Sequence, residues 1–145
     1  MSRIVLIEDN ANNARIAAKL LNRVGHEVVL AEDGETGLEK VMELVPDLVL
    51  VDLGLPDIDG QTIVGMMHQL DSLKDTRIIA FTAWPEATAQ EMATAYGCDG
   101  VITKPIDTRQ FANQVEAFLK PRPQPAAPEA GATDQKQPVP DDTST

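Results

Sequence analysis

The chain has 145 residues, enough for one ordinary domain with some length to spare, and its 43% hydrophobic and 24% charged residues read as globular. A formal net charge of −11 argues against nucleic acid and anionic membrane surfaces as partners, because both are bound chiefly through Lys and Arg. The single cysteine, Cys98, excludes an internal disulfide and a cysteine-based metal cage, and aromatics at 3% leave the core to aliphatic side chains.

The first apolar run, Ile4-Val5-Leu6-Ile7, is strand-like and stops at Glu8-Asp9. It is too short for a signal peptide's apolar core or a membrane span, so the cytoplasm is the expected compartment. Asn10, Asn12 and Asn13 offer caps to a helix striped by Ile16, Leu20, Leu21 and Val24 and closed by Gly25. A second strand, Val28-Val29-Leu30, leads through Asp33-Gly34 to a helix striped by Leu38, Val41, Met42 and Val45. Pro46-Asp47 opens a third strand, Leu48 to Val51, which runs straight into Asp52. Asp59-Gly60 starts a third helix with Ile63, Met66, Met67 and Leu70, in which the methionines read as core and rim. The fourth strand, Ile78 to Phe81, precedes Thr82. The Ala-rich segment 86–96 carries only a weak stripe before Gly97, so its helix is the least well marked. Val101-Ile102 is a short fifth strand ahead of Thr103 and Lys104, and Phe111, Val115, Phe118 and Leu119 stripe a last helix. His26 and His68 lack matching partners and are expected on the surface or on a helix face.

From about Pro121 the composition shifts to proline interleaved with Ala, Gln, Asp and Thr. No apolar period survives there, so residues 121–145 are expected to be a disordered, proline-rich acidic tail or the stub of a linker. It is too short and too rich in proline for a DNA-binding output domain. Residues 1–120 form the expected domain.

Five near-continuous apolar runs alternating with helical stripes predict an α/β fold, a doubly wound parallel sheet with strand order 2-1-3-4-5. In such sheets the ligand site lies beyond the carboxyl ends of the strands, where the order reverses. That rule gathers Glu8, Asp9 and Asp52 at neighbouring strand ends. Three close anions raise one another's pKa unless a cation joins them, and Mg²⁺ is the simplest oxygen-loving choice. Thr82 and Lys104 end the next two strands, where a hydroxyl and an ammonium can bind oxygens of a phosphoryl group on Asp52. A carboxylate is a competent nucleophile toward phosphorus, in a reaction governed by position and electrostatics. Taken singly, each of these residues is an ordinary solvated strand end; their placement together is what points to chemistry.

From about Arg3 to Lys120 the chain resembles a response-regulator receiver, the module of two-component signalling. The likeness lies in Ile4 to Asn10, Val51 to Gly60, Phe81-Thr82-Ala83 and Thr103-Lys104-Pro105, in that order. The resemblance implies a flavodoxin-like three-layer sandwich, with Asp52 as phosphoacceptor forming an aspartyl-phosphate. It implies Mg²⁺ held by Glu8, Asp9 and Asp52 with the Gly54 carbonyl, Thr82 as switch hydroxyl, Lys104 as phosphate-binding lysine, and a cis bond before Pro105. A sensor histidine kinase or histidine phosphotransfer protein would donate the phosphoryl group, and an unidentified protein target would read the altered surface. Beyond its own phosphorylation and dephosphorylation, no turnover is expected.

One position departs from the pattern. Receivers often carry an aromatic three residues before the lysine, and here that residue is Val101. Output is therefore expected to rely more on the loop after Thr82, with Ala83 and Trp84, and on the fourth helix. Trp84 reads equally as a shield for the aspartyl-phosphate, a partner-binding anchor or a packed lid. Two other classes compete. A phosphatase of the haloacid-dehalogenase type needs a second acid two residues after its nucleophile, where this chain has Gly54. A flavin binder on the same sheet topology needs a phosphate-cradling loop, where Glu8-Asp9 would repel the phosphate.

Overall fold

The computed structural model describes residues 2–119; the expected tail at 121–145 lies outside them. The strands are β1 (Arg3–Ile7), β2 (Glu27–Ala31), β3 (Leu48–Val51), β4 (Arg77–Thr82) and β5 (Gly100–Thr103). The helices between and after them are α1 (Ala11–Arg23), α2 (Gly34–Leu44), α3 (Gly60–His68), α4 (Glu86–Tyr96) and α5 (Phe111–Leu119), with a 3₁₀ turn at Asp71–Leu73. All pairings are parallel and the sheet order is β2-β1-β3-β4-β5, as the alternation of runs predicts.

Each face of the sheet carries its own core because side chains alternate along a strand. Val5, Ile7, Val49 and Val51 meet α2 and α3 through Leu38, Val41, Ile63 and Met67. Ile4, Leu6, Leu48 and Leu50 meet α1 and α5 through Leu21, Phe111 and Val115. β1 from Ile4 onward and all of β3 are fully buried, which requires short helical contacts on both sides. Each such aliphatic side chain stabilises the fold by roughly 1.5–3 kcal/mol.

Two of the expected helical stripes are corrected. In α1 the buried residues are Ala14, Ala17 and Leu21, while Ile16 and Val24 are 41% and 47% exposed. Alanines let the helix approach the sheet closely, and bulk alone misplaced the stripe by part of a turn. In α2, Leu38 and Val41 are buried as expected, but Met42 and Val45 face outward, and Gly34 and Gly37 share the buried face. Met67 in core and Met66 at the rim agree with the sequence reading, and the weakly striped segment 86–96 is indeed helical, burying Ala89 and Ala93.

Three of the helices, α1, α2 and α3, are entered through side-chain caps. Asn10 accepts from Asn13 N at 3.0 Å, Asp33 from Thr36 N at 2.7 Å and Asp59 from Thr62 N at 2.9 Å, each satisfying a donor that has no partner within its helix. Gly25 and Gly97 take positive φ after α1 and α4, the conformation for which glycine is suited. His26 is not on the surface. Its Nδ1 accepts from Ser2 N at 3.1 Å, so Nε2 carries the proton and faces Glu116 Oε2 at 3.1 Å. The chain start and α5 close over the ring, a convergence with no local signature. His68 remains at an exposed helix end, with Nε2 2.7 Å from the Gly97 carbonyl.

Candidate functional site

Register brings the site together. Ile7 pairs with both Ala31 and Val51, Val51 with Ala80, and Thr82 with Thr103, so the strands finish almost level. The ladder continues one residue past the strands: Glu8 N donates to Ala31 O, Asp52 N to Ile7 O and Lys104 N to Thr82 O. Glu8, Asp52 and Lys104 are thereby fixed by backbone bonds before their side chains make any contact.

The carboxylates of Glu8, Asp9 and Asp52 each offer an oxygen within 4.8 Å of the others. Glu8 is 1% exposed and Asp52 9%, while Asp9 stands open to solvent. Lys104 Nζ lies 2.5 Å from Glu8 Oε1 and 3.2 Å from Asp52 Oδ2. The ammonium also sits over the Phe81 ring, 4.9 Å from its centroid, so the charge rests on an aromatic face. Gly54 N donates to Asp52 Oδ1 at 2.8 Å, and Asn10 N reaches Glu8 Oε2 at 3.3 Å.

Burial pushes the Glu8 carboxyl up from 4.5 to about 7, and the neighbouring Asp52 adds to the rise while Lys104 opposes it. One lysine ammonium faces three carboxylates, so the cluster keeps an excess of negative charge, and its oxygen donors fit a hard divalent cation. The residues to hold it are Glu8, Asp9 and Asp52.

Thr82 is 2% exposed, and its Oγ1 accepts from Trp84 N at 3.1 Å. Ala83 is exposed beside it. Trp84 and Val101 are half-buried and pack against a small cluster of Leu53, Ala80 and Ala93. The Lys104–Pro105 bond is cis, as the motif implies.

Two contributors were not singled out from sequence. Phe81 reads there as one more apolar strand residue, yet its ring supports Lys104 and tilts against Phe111 at 5.7 Å. Asp57 accepts from Gly34 N at 2.8 Å and Glu35 N at 3.0 Å, tying the loop after β3 to the start of α2. Those N–H groups, Gly34 first, hold its carboxyl below the usual carboxylate range. Its partners lie more than twenty residues away in the chain, so only the position between Pro56 and Gly60 could have hinted at it.

A sheet wound in this order, with acids, threonine and lysine at its carboxyl rim, is the arrangement of a two-component receiver module. Residues 4–116 match the response regulator receiver domain, and the chain belongs to that family. It is 34% identical over 124 residues to the response regulator ArlR of Staphylococcus saprophyticus, covering 86% of this chain and 55% of that protein. It is 28% identical over 116 residues to the polar-differentiation response regulator DivK of Brucella anthropi, covering 80% of this chain and 94% of that one. The chain thus spans about half the length of ArlR and nearly all of DivK. A putative response regulator from Chloroflexus aurantiacus superposes with a TM-score of 0.76 at 25% identity, over 81% of this chain and 97% of the other.

Proposed function

We propose that the protein acts as a response-regulator receiver that accepts a phosphoryl group on Asp52, in a Mg²⁺-dependent reaction, from a sensor histidine kinase or a histidine phosphotransfer protein. The observation that carries this reading is the meeting of Asp52, Glu8, Asp9 and Lys104 at one strand rim. An Asp52 oxygen attacks the phosphorus of a phosphohistidine, forming the new P–O bond as the P–N bond breaks and the imidazole leaves. Bound at the three carboxylates, Mg²⁺ would offset negative charge on the transferring group. Lys104 supplies a second positive charge at the same carboxylate, and Gly54 N–H holds Asp52 Oδ1 in place. The Gly54 carbonyl is the proposed further metal ligand. The Thr82 hydroxyl retains a proton to donate to a phosphoryl oxygen.

The aspartyl-phosphate then changes which protein target the surface binds. Its action is confined to its own phosphorylation and dephosphorylation, and its compartment is the cytoplasm. No helix among the described residues is long and apolar enough to cross a membrane. Nothing in the site favours the haloacid-dehalogenase type of phosphatase, whose second acid would have to stand at Gly54. Incubation with acetyl phosphate and Mg²⁺ should add one phosphoryl group per chain, by intact mass, and Asp52→Asn should add none. Stoichiometric labelling of Asp52→Asn would refute the assignment.

A further inference from the structure

We propose that residues 125–130 of this chain dock in the groove between α1 and β2, held there by Glu129 against basic side chains of α1. The contact does not depend on the chemistry at Asp52.

β2 is an edge strand, and a groove of about 660 Å³ runs where α1 meets it. Ala11, Ala14 and Ala18 line the groove from the helix, Leu30 and Ala31 from the strand. Leu30 is 44% exposed, a large apolar side chain that nothing among the described residues covers. The groove is also flanked by positive charge. α1 carries Arg15, Lys19 and Arg23 at four-residue spacing, hence on one flank, and holds no acid, although the chain has a net charge of −11. Among the described residues none of the three forms an ion pair, and Arg15 donates to the Asn12 side chain at 2.6 Å. Glu8 and Glu32 close the far end, so an anionic occupant is confined to the stretch along Arg15, Lys19 and Asn22.

Such a surface fits an acidic segment with small apolar side chains, and the chain supplies one within reach. α5 ends at Leu119, and its Glu116 Oε2 lies 3.1 Å from Nε2 of His26, just past the end of α1. The chain therefore leaves α5 beside the Asn22 end of the groove. Residues 120–124 can span about 20 Å, enough to round a helix about 10–12 Å across. Pro125-Ala126-Ala127-Pro128 then brings small apolar side chains to the alanine floor. Four extended steps, about 13 Å, carry Glu129 from the Asn22 end to Arg15, about 10 Å along the helix. Glu129, Asp134, Asp141 and Asp142 against Lys136 alone leave residues 124–145 acidic, which adds attraction toward the same flank. Tethering makes the contact intramolecular and favours it over the same contact from a separate chain. A second copy fits less well, because β2 edges paired about a two-fold axis would set two basic α1 flanks on one face of the joined sheet.

The test places a nitroxide at Ala132→Cys of the full chain, in a Cys98→Ser background, and reads the amide resonances. Those of Lys19, Asn22 and Leu30 should broaden, while those of Met66 on α3 and Ala93 on α4 stay sharp. Glu129→Lys and Lys19→Glu should each weaken this selective broadening. About 1 M salt, at which the Debye length is about 3 Å, should do the same. Absent or unselective broadening overturns the proposal, as does selective broadening that persists undiminished in either variant. Nitroxide-bearing chains without ¹⁵N, mixed with ¹⁵N chains without nitroxide, test for a second copy. Broadening of Leu30 in that mixture as strong as within one chain would also overturn it; a sharp Leu30 resonance there is the expected result.

Discussion

At the scale of single residues, burial decides which side chains are chemically unusual. Glu8 gains its raised pKa because the strand carries it out of water beside Asp52. In the metal-free protein the protonated form prevails below about pH 7. Its contribution to folding is complete below about pH 4.5 and is lost as pH climbs through about 7. A divalent cation favours the ionised form, so Mg²⁺ binding should release protons, and its apparent affinity should weaken as pH falls below about 7. Calorimetric titrations at pH 6 and pH 8 would check this, and equal affinity at both would contradict it. Cys98 is governed by the same effect. Burial, with a smaller contribution from Asp99, pushes its thiol up to about 12, so alkylation by iodoacetamide at pH 8 should run at least about tenfold slower than that of a free cysteine. Rapid alkylation of the folded protein would overturn that account. Val45 ends α2 at φ +45°, an unfavourable backbone for a β-branched residue, with its side chain largely outside the core. Val45→Gly should stabilise the fold by about 0.5–1 kcal/mol in urea titrations.

At the scale of elements, the site depends on helices seated close enough to hold the strands level. Gly37 on α2 faces Ile7, the residue before Glu8, and an added Cβ would come within 2.5 Å of the buried isoleucine side chain. Gly37→Ala should therefore destabilise the protein by about 1–3 kcal/mol through overpacking, measured as a lowered urea midpoint. A neutral result would show that α2 can move off β1 freely. Element order and sheet topology were legible because the strand runs are apolar on both faces, and because Asn10, Asp33 and Asp59 mark helix starts locally. The orientation of α1 was not. Ala14 and Ala17 do the packing there, and small residues give almost no hydrophobic signal although they permit the closest contact.

For the molecule as a whole, the acidic rim was readable because a strand end is a sequence position, and parallel order turns positions into neighbours. Contacts made across long separations were not readable. His26 is closed in by Ser2 and Glu116, Asp57 spans to Gly34 and Glu35, and Phe81 acquires its role only when Lys104 folds over it. Each depends on tertiary placement that no local period encodes. The net charge of −11 sharpens the same point. An excess of acids spread along the chain carries no message until three of them share one pocket with a lysine.

The most direct measurement is to locate the modified residue chemically. The protein is treated with acetyl phosphate, with and without Mg²⁺, then reduced with borohydride, which converts an acyl-phosphate side chain to an alcohol, and mapped by peptide mass spectrometry. The account predicts reduction at Asp52 alone, and only when Mg²⁺ is present. Reduction at another acid, or equal reduction at Asp52 in the presence of a chelator, would contradict it.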